Sequence, residues 1–237
     1  MRKLRIVSDS SSDLLTLDYA DFAFSPMKII TAEREFVDDK NLDVEEMANF
    51  FNQYKDRSQT SCPNPSDWLD AFGDADDIIC VTITSALSGS YNSANTAKQL
   101  YESENEGKRV FVLDTLSAGP EITLVIRKIE EFIKEGMDFD SICKNIQNYI
   151  KHTGLVFMLK SLKNFANNGR VNPVIAAAAN CQESTPTIGT NRYAKGEAIE
   201  ERMEESALSA TAKLQVKVCI SCTAMLQRRI IVAAFTI

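Results

Sequence analysis

The sequence predicts an α/β fold, with a three-layer α/β/α domain built on a mainly parallel sheet. Three observations predict it. Residues 78–83, Ile-Ile-Cys-Val-Thr-Ile, are almost wholly apolar, as expected of a strand covered on both faces. Short apolar runs of this kind alternate with stretches whose apolar residues recur at helical spacing. Hydroxyl-rich turns directly follow three of the apolar runs, at 8–13, 84–90 and 114–118. In open α/β sheets ligands sit outside the carboxyl ends of the strands. These turns are therefore expected to converge with Thr60 and Ser61 on one site.

Each element has its own warrant. Leu4 to Val7 reads as the first strand, ended by the serine- and aspartate-rich run 8–13. Residues 22–30 read as extended and broken at Pro26. Asp43 opens a helix, with Glu46 three positions on in a capping-box pattern, and Val44, Met47, Phe51 and Tyr54 share one face. A short helix follows Pro65, carries Trp68, Leu69 and Phe72, and ends at Gly73. The strand at 78–83 leads into a helix from about Tyr91 to Tyr101. Residues 110–113 form another short strand. Pro120 suits the first turn of the next helix, where its missing N–H would be unpaired anyway. Ile122, Val125, Ile129 and Phe132 line the inner face of that helix, and Gly136 ends it. A further helix, 139–151, carries Ile142, Ile146 and Ile150. Beyond it, 155–159 reads as a strand, 161–165 as a short helix, 167–169 as a turn, 174–179 as an apolar, alanine-rich stretch, 197–213 as a charged helix and 216–220 as a strand.

Composition narrows the function classes. The 237 residues suffice for one large domain or two small ones. A net charge of −7 and a pI near 4.9 argue against broad nucleic-acid contact, which needs clustered Lys and Arg. Six cysteines are too few for a secreted disulfide scaffold. No stretch has the length of a membrane span. The basic start, Arg2, Lys3 and Arg5, frames a strand rather than a signal peptide, so a cytoplasmic location is expected.

Chemistry concentrates in the segment 83–94, Ile-Thr-Ser-Ala-Leu-Ser-Gly-Ser-Tyr-Asn-Ser-Ala. It offers serine and threonine hydroxyls and a glycine between a strand and a helix. Backbone N–H groups at such a turn, helped by the helix dipole, make an anion site for a carboxylate or phosphate. Ser88 and Gly89 are the first candidates, and Ser90 is a secondary one. Taken alone, Thr60 and Ser61 read as a polar turn before the Trp68 helix. Asp9 and Asp114 end strands and could be an acid–base pair or turn caps. With no partnered base in view, capping is favoured. Cys219 and Cys222 form a lone Cys-x-x-Cys without a second pair for zinc, and read as core. His152, the single histidine, has no ligand partner at metal spacing. No Gly-x-x-x-x-Gly-Lys-Ser/Thr phosphate loop and no Gly-x-Ser-x-Gly elbow occur. This poor catalytic inventory favours a binding protein. The alternative is a hydrolase or transferase that cradles a small phosphorylated substrate at the same serine-rich turns.

Five segments carry a family resemblance. Leu87-Ser88-Gly89-Ser90-Tyr91 is similar to the Leu-Ser-Gly-Thr-Tyr motif of the bacterial DegV family. Ile6-Val7-Ser8-Asp9-Ser10 resembles its opening strand and Asp-Ser turn, and Thr60-Ser61-Cys62-Pro63-Asn64-Pro65 its Thr-Ser-x-Pro-Ser-Pro loop. Val112-Leu113-Asp114-Thr115 resembles its Val-Ile-Asp-Ser/Thr turn, and Asn168-Gly169-Arg170-Val171 its Gly-Gly-Arg-Ile. Order and spacing agree from residue 1 to about 171, and the resemblance loosens after that. The family's His-x-Gly-Pro-Gly-like stretch is not found.

The resemblance implies a protein that binds a long-chain fatty acid and presents it to an ATP-dependent fatty acid kinase. It implies no catalytic residues, cofactor or metal of its own. Domains are expected at 1–152, holding the head group, and at 153–237, a smaller α/β domain closing one side of a lipid slot. The carboxylate would be held by Thr60 or Ser61 with Ser88 and the Gly89 backbone, and Arg170 is a possible secondary contact. Phe24, Met27, Ile29, Leu155, Phe157 and Met158 are candidate slot walls, although each is read more simply as core.

Overall fold

A computed structural model describes residues 2–54, 56–158 and 187–190. The chain divides into two compact units, residues 1–43 with 54–155, and residues 44–53 with 156–237. In chain order the elements are β1 (Leu4–Asp9), a single 3-10 turn (Ser10–Ser12), β2 (Asp21–Ser25), β3 (Lys28–Ile30), β4 (Glu35–Val37) and α1 (Val44–Gln53). Next come β5 (Gln59–Ser61), α2 (Pro65–Phe72), β6 (Asp77–Thr82), α3 (Ser90–Glu104), β7 (Arg109–Asp114), α4 (Pro120–Lys134) and α5 (Phe139–Tyr149). A second 3-10 turn (Ile150–His152), β8 (Leu155–Met158) and β9 (Thr187–Thr190) complete the described chain.

The first unit is built on a four-stranded sheet of order β2-β1-β6-β7 in which every pairing is parallel. Parallel strands need crossover connections: α2 lies on the way from β2 to β6 and α3 joins β6 to β7, while β1 reaches β2 through the 3-10 turn and a loop. Every residue of β6 is buried, as its apolar composition requires. Val7 and Cys80 are register partners and face a core with Trp68, Phe72, Ala94, Ala97 and Tyr101 from α2 and α3. Ile6 and Ile79, the next pair along, face the opposite side by the period of two. There α4 packs on β6 and on the Ser10–Ser12 turn. Ile122, Val125, Ile126 and Ile129 of α4 are fully buried, each contributing about 1.5–3 kcal/mol. α5 lies against α4 and buries Ile142 and Ile146. The α/β class and the mainly parallel sheet are therefore as the sequence predicts.

Local signals explain the helix ends. Asn64 caps α2, accepting from the Ser66 and Asp67 N–H groups, while the Asp67 carboxylate accepts the Asn64 N–H in return. Pro65 then occupies the first turn. Gly73 and Gly136, with φ of 56° and 77°, follow the ends of α2 and α4 in a region few side chains tolerate.

Three features were not foreseen. β4, β3 and β5 form a second, antiparallel sheet, with Ile29 paired to Phe36 and to Thr60. Thr60 and Ser61 thus lie in a strand rather than a turn. Each of these strands is three residues long, too short to show a period. β9, paired with β8, is the third surprise. The readings at 161–165, 167–169, 174–179, 197–213 and 216–220 lie outside the described residues, as do Cys219 and Cys222.

The amino end of the parallel sheet is held by charge. Asp77 accepts from Arg2 at 2.8 Å and from Arg109 at 2.7 Å, and Arg109 also reaches Asp140 at 3.1 Å. The hydrogen bond from Arg2 leads the effects that pull the Asp77 carboxyl down to about 2, while burial opposes it and Arg109 adds to it. No helix among the described residues is long and apolar enough to cross a membrane.

Candidate functional site

The turns after β1, β6 and β7 lie at the carboxyl edge of the parallel sheet. The strand order places β1 and β6 side by side at its centre, so their turns meet. Asp9, the last residue of β1, is fully buried there. It accepts hydrogen bonds from the Ser11 hydroxyl, from Ser90 Oγ at 2.6 Å and from the Ile83 N–H at 2.9 Å. One carboxylate thus ties the 3-10 turn to the end of β6 and to the first residue of α3. Burial pushes its pKa up, and those donors pull it back. This is more than the local cap the sequence suggests, because the partners stand 74 and 81 positions away. Asp114 does cap locally, taking the Leu116 N–H at 3.0 Å, and also holds the Ser85 N–H at 3.2 Å.

The loop from β6 to α3 winds around Thr84. The Thr84 carbonyl accepts from Leu87 and Ser88 N–H, and its hydroxyl accepts from Ala86 N–H. Its own N–H donates to Ser117, which joins this loop to the one after β7. Ser88 comes next, half-buried, and its Oγ accepts the Ser90 N–H at 3.3 Å. That bond occupies an acceptor position of the hydroxyl and leaves its hydrogen to donate outward. Ser90 is fully buried, with its hydroxyl given to Asp9 and its N–H to Ser88, so both its donors serve the fold.

The β5–α2 turn reaches the same place. A Cβ built on Gly89 would stand 3.2 Å from Cys62 Sγ. Burial raises the Cys62 thiol pKa and the charge of Asp9 raises it further, while the Gly89 N–H works the other way. Ser93 Oγ, one turn into α3, donates to the Pro63 carbonyl at 2.7 Å and pins the turn to the helix. Ser61, adjacent to Cys62, donates weakly to the Cys62 carbonyl at 3.2 Å. Thr60 is exposed on β5.

The structure therefore brings the turn after Ser61 against Gly89, next in sequence to Ser88. Arg170 lies outside the described residues. Of the candidate slot walls, Ile29 and Leu155 are buried and Phe24 and Met27 half-buried. Sequence reasoning missed Cys62 as a contact of Gly89 and Asp9 as the hub of both turns. Cys62 had a signal, since it stands inside the quoted Thr-Ser-x-Pro loop. Asp9 had only its place at a strand end.

The arrangement suits an anion. Hydroxyls and N–H groups converge, and α3 begins at the same point with its positive dipole end. Among the described residues no group of three or more His, Cys, Asp and Glu is placed to hold a metal.

Comparison with known proteins identifies the family. A family model described as an uncharacterised protein of the DegV family matches residues 3–219. A DegV domain-containing protein of Streptococcus gordonii is 40% identical over 178 residues, 73% of this chain and 63% of that protein. The chain thus spans a little over three fifths of the length of such curated relatives. Two solved structures are similar in fold. A DegV family protein of Eubacterium eligens loaded with heptadecanoic acid has a TM-score of 0.76 at 39% identity, over 80% of this chain and 68% of its own. The Streptococcus pneumoniae fatty acid kinase B3 protein, loaded with linoleic acid, has a TM-score of 0.77 at 32% identity, over 80% and 69%. With the family model running almost from end to end and the parallel-sheet architecture shared with these structures, the chain belongs to the DegV family.

Proposed function

We propose that this chain binds a long-chain fatty acid, with its carboxylate at the turn formed by Ser88 and Gly89 and its tail in an apolar slot. The observation that carries the reading is the convergence of the β5–α2 turn on Gly89, beside a Ser88 hydroxyl whose hydrogen is left to donate. Hydroxyls and an N–H can hold a carboxylate without a buried counter-charge. Thr60 or Ser61 completes the cradle from β5, and Arg170 is retained as a secondary contact. The Gly89 N–H lies beside the Cys62 thiol, a weak acceptor, and is a further donor for a carboxylate oxygen. The solved relatives loaded with heptadecanoic and linoleic acid support the ligand class.

In this reading the chain has no catalytic residue or cofactor of its own. It presents the carboxylate to an ATP-dependent fatty acid kinase, which forms the acyl phosphate. The likeness to the fatty acid kinase B3 protein supports that partnership.

Mass spectrometry of lipid extracted from the denatured, purified protein tests the ligand. The expected result is close to one equivalent of long-chain fatty acid, since each buried methylene contributes about 0.8 kcal/mol. Protein that releases none, and takes up no added heptadecanoic acid, would refute the reading.

A further inference from the structure

The proposed head-group site carries a feature that an anion-binding turn does not need. Asp9 sits beneath it, fully buried, with hydroxyl and backbone donors as its hydrogen-bond partners. No Lys, Arg or His side chain among the described residues pairs with it. Two titratable groups on neighbouring elements feel its charge, Cys62 from the β5–α2 turn and Cys80 from β6, and both thiols are pushed up. Asp13 ends the 3-10 turn and Glu121 opens α4, the helix packed on that turn, so these elements also bring acids. β2 places Ser25 as the register partner of Asp9, and α3 contributes the neutral Ser90.

Ser90 links Asp9 to the candidate anion donor. Its hydroxyl binds the carboxylate at 2.6 Å and its N–H binds Ser88 Oγ at 3.3 Å. A ligand carboxylate on Ser88 is thus one residue and two hydrogen bonds from a buried acid of the same charge. Two unit charges about 8 Å apart at an effective dielectric of about 20 repel enough to change affinity about thirtyfold.

We propose that Asp9 couples ligand binding to proton uptake: the anion is held tightly when Asp9 takes a proton, which stays on its carboxyl and is released when the ligand leaves. This rests on the fatty-acid reading above. The sign follows from linkage. A bound anion raises the proton affinity of Asp9, so binding takes up a proton, and affinity falls as pH rises between the two proton affinities. A protonated Asp9 still accepts from Ile83 N–H and Ser90 Oγ through one oxygen, and its new O–H donates to Ser11 Oγ. The turn keeps its geometry in both states.

The test is calorimetric titration of the intact protein with heptadecanoic acid between about pH 5 and about pH 9, in buffers of different ionisation enthalpy. The unsubstituted protein is expected to take up as much as one proton and to lose up to about thirtyfold in affinity as pH rises. Asp9→Asn keeps the shape and the acceptor, and should bind with no protein-linked proton uptake and nearly the same affinity throughout. Identical pH profiles for the two proteins would overturn the proposal while leaving fatty-acid binding intact. No binding by either would refute the fatty-acid reading itself, and this proposal with it. A second readout needs no variant. On adding heptadecanoic acid labelled with carbon-13 at its carboxyl, infrared difference spectra should show a new protonated carboxyl band at the unlabelled, protein frequency. If the band appears only at the labelled frequency, the ligand carries the proton and the proposal fails.

Discussion

The thiol of Cys62 lies against Gly89, so that a methyl group added at position 89 would meet its sulfur at 3.2 Å. Gly89 has φ of −74° and ψ of 0°, a conformation open to any residue. The constraint at Gly89 is one of space and not of backbone strain. Gly89→Ala should therefore destabilise the protein by about 1–2 kcal/mol, through crowding and a poorer helix cap. Cys62→Ala, made in the same chain, should recover part of that loss. A double-mutant cycle in urea would measure the coupling, expected at about 0.5 kcal/mol or more. Additive effects would mean that the two residues do not meet.

Neighbouring serines at this turn should behave oppositely. Ser88→Ala removes an outward donor and, with it, the acceptor of the Ser90 N–H. It should weaken heptadecanoic acid binding by about 1.5–3 kcal/mol, ten- to hundredfold, and cost about 1 kcal/mol or less of stability because the lost internal bond is long. Ser90→Ala removes the hydroxyl that Asp9 accepts, and should cost about 1–3 kcal/mol of stability. Thr60→Ala and Ser61→Ala should act on binding in the same direction as Ser88→Ala. If Ser88→Ala binds like the parent, the carboxylate sits elsewhere.

The contrast between these serines shows what was legible in the sequence. The strand–turn–helix units were, because β6 is apolar throughout and α4 repeats its apolar residues at helical spacing with Pro120 and Gly136 as punctuation. The role of Ser88 as a candidate donor follows from its place in the turn. The engagement of Ser90 does not, because its partner Asp9 is 81 positions away and no local pattern marks the pair. The antiparallel sheet of β4, β3 and β5 was hidden for another reason. Three-residue strands carry too few residues for alternation to show, and the pairing of β3 with β5 joins segments about 30 positions apart.

Acid should unlock the opposite edge of the sheet. Asp77 is almost buried and its pKa is lowered to about 2, with Arg2 as the first cause. A carboxylate held below its unfolded value stabilises the fold fully above about pH 4, and loses that contribution as pH falls toward its folded value. Because both arginines are nearly half exposed, solvent screening reduces the contribution to about 1–2 kcal/mol. Asp77→Asn should therefore be less stable than the parent at neutral pH, with the gap closing between about pH 4 and about pH 2. Urea unfolding across that range checks it, and a constant gap would assign the effect to packing.

The division of labour with a kinase is testable in one reaction vessel. Phosphoryl transfer needs positioned charges: a cradle for the phosphates, carboxylates for magnesium and a cation on the transferring group. The sequence contains no phosphate loop, and no cluster of acids placed for a metal occurs among the described residues. The turn beside Asp9 offers neutral donors above a buried negative charge, a setting that suits a monoanionic carboxylate better than a triphosphate. Incubated alone with ATP, magnesium and heptadecanoic acid, this chain should form no acyl phosphate. Adding a fatty acid kinase should start the reaction, and Ser88→Ala should slow it in proportion to its loss of ligand. A nucleotide titration of the isolated protein gives the direct check. Micromolar ATP binding, or acyl phosphate formed without a partner, would overturn the presenting role and favour a transferase acting at the same serine-rich turns.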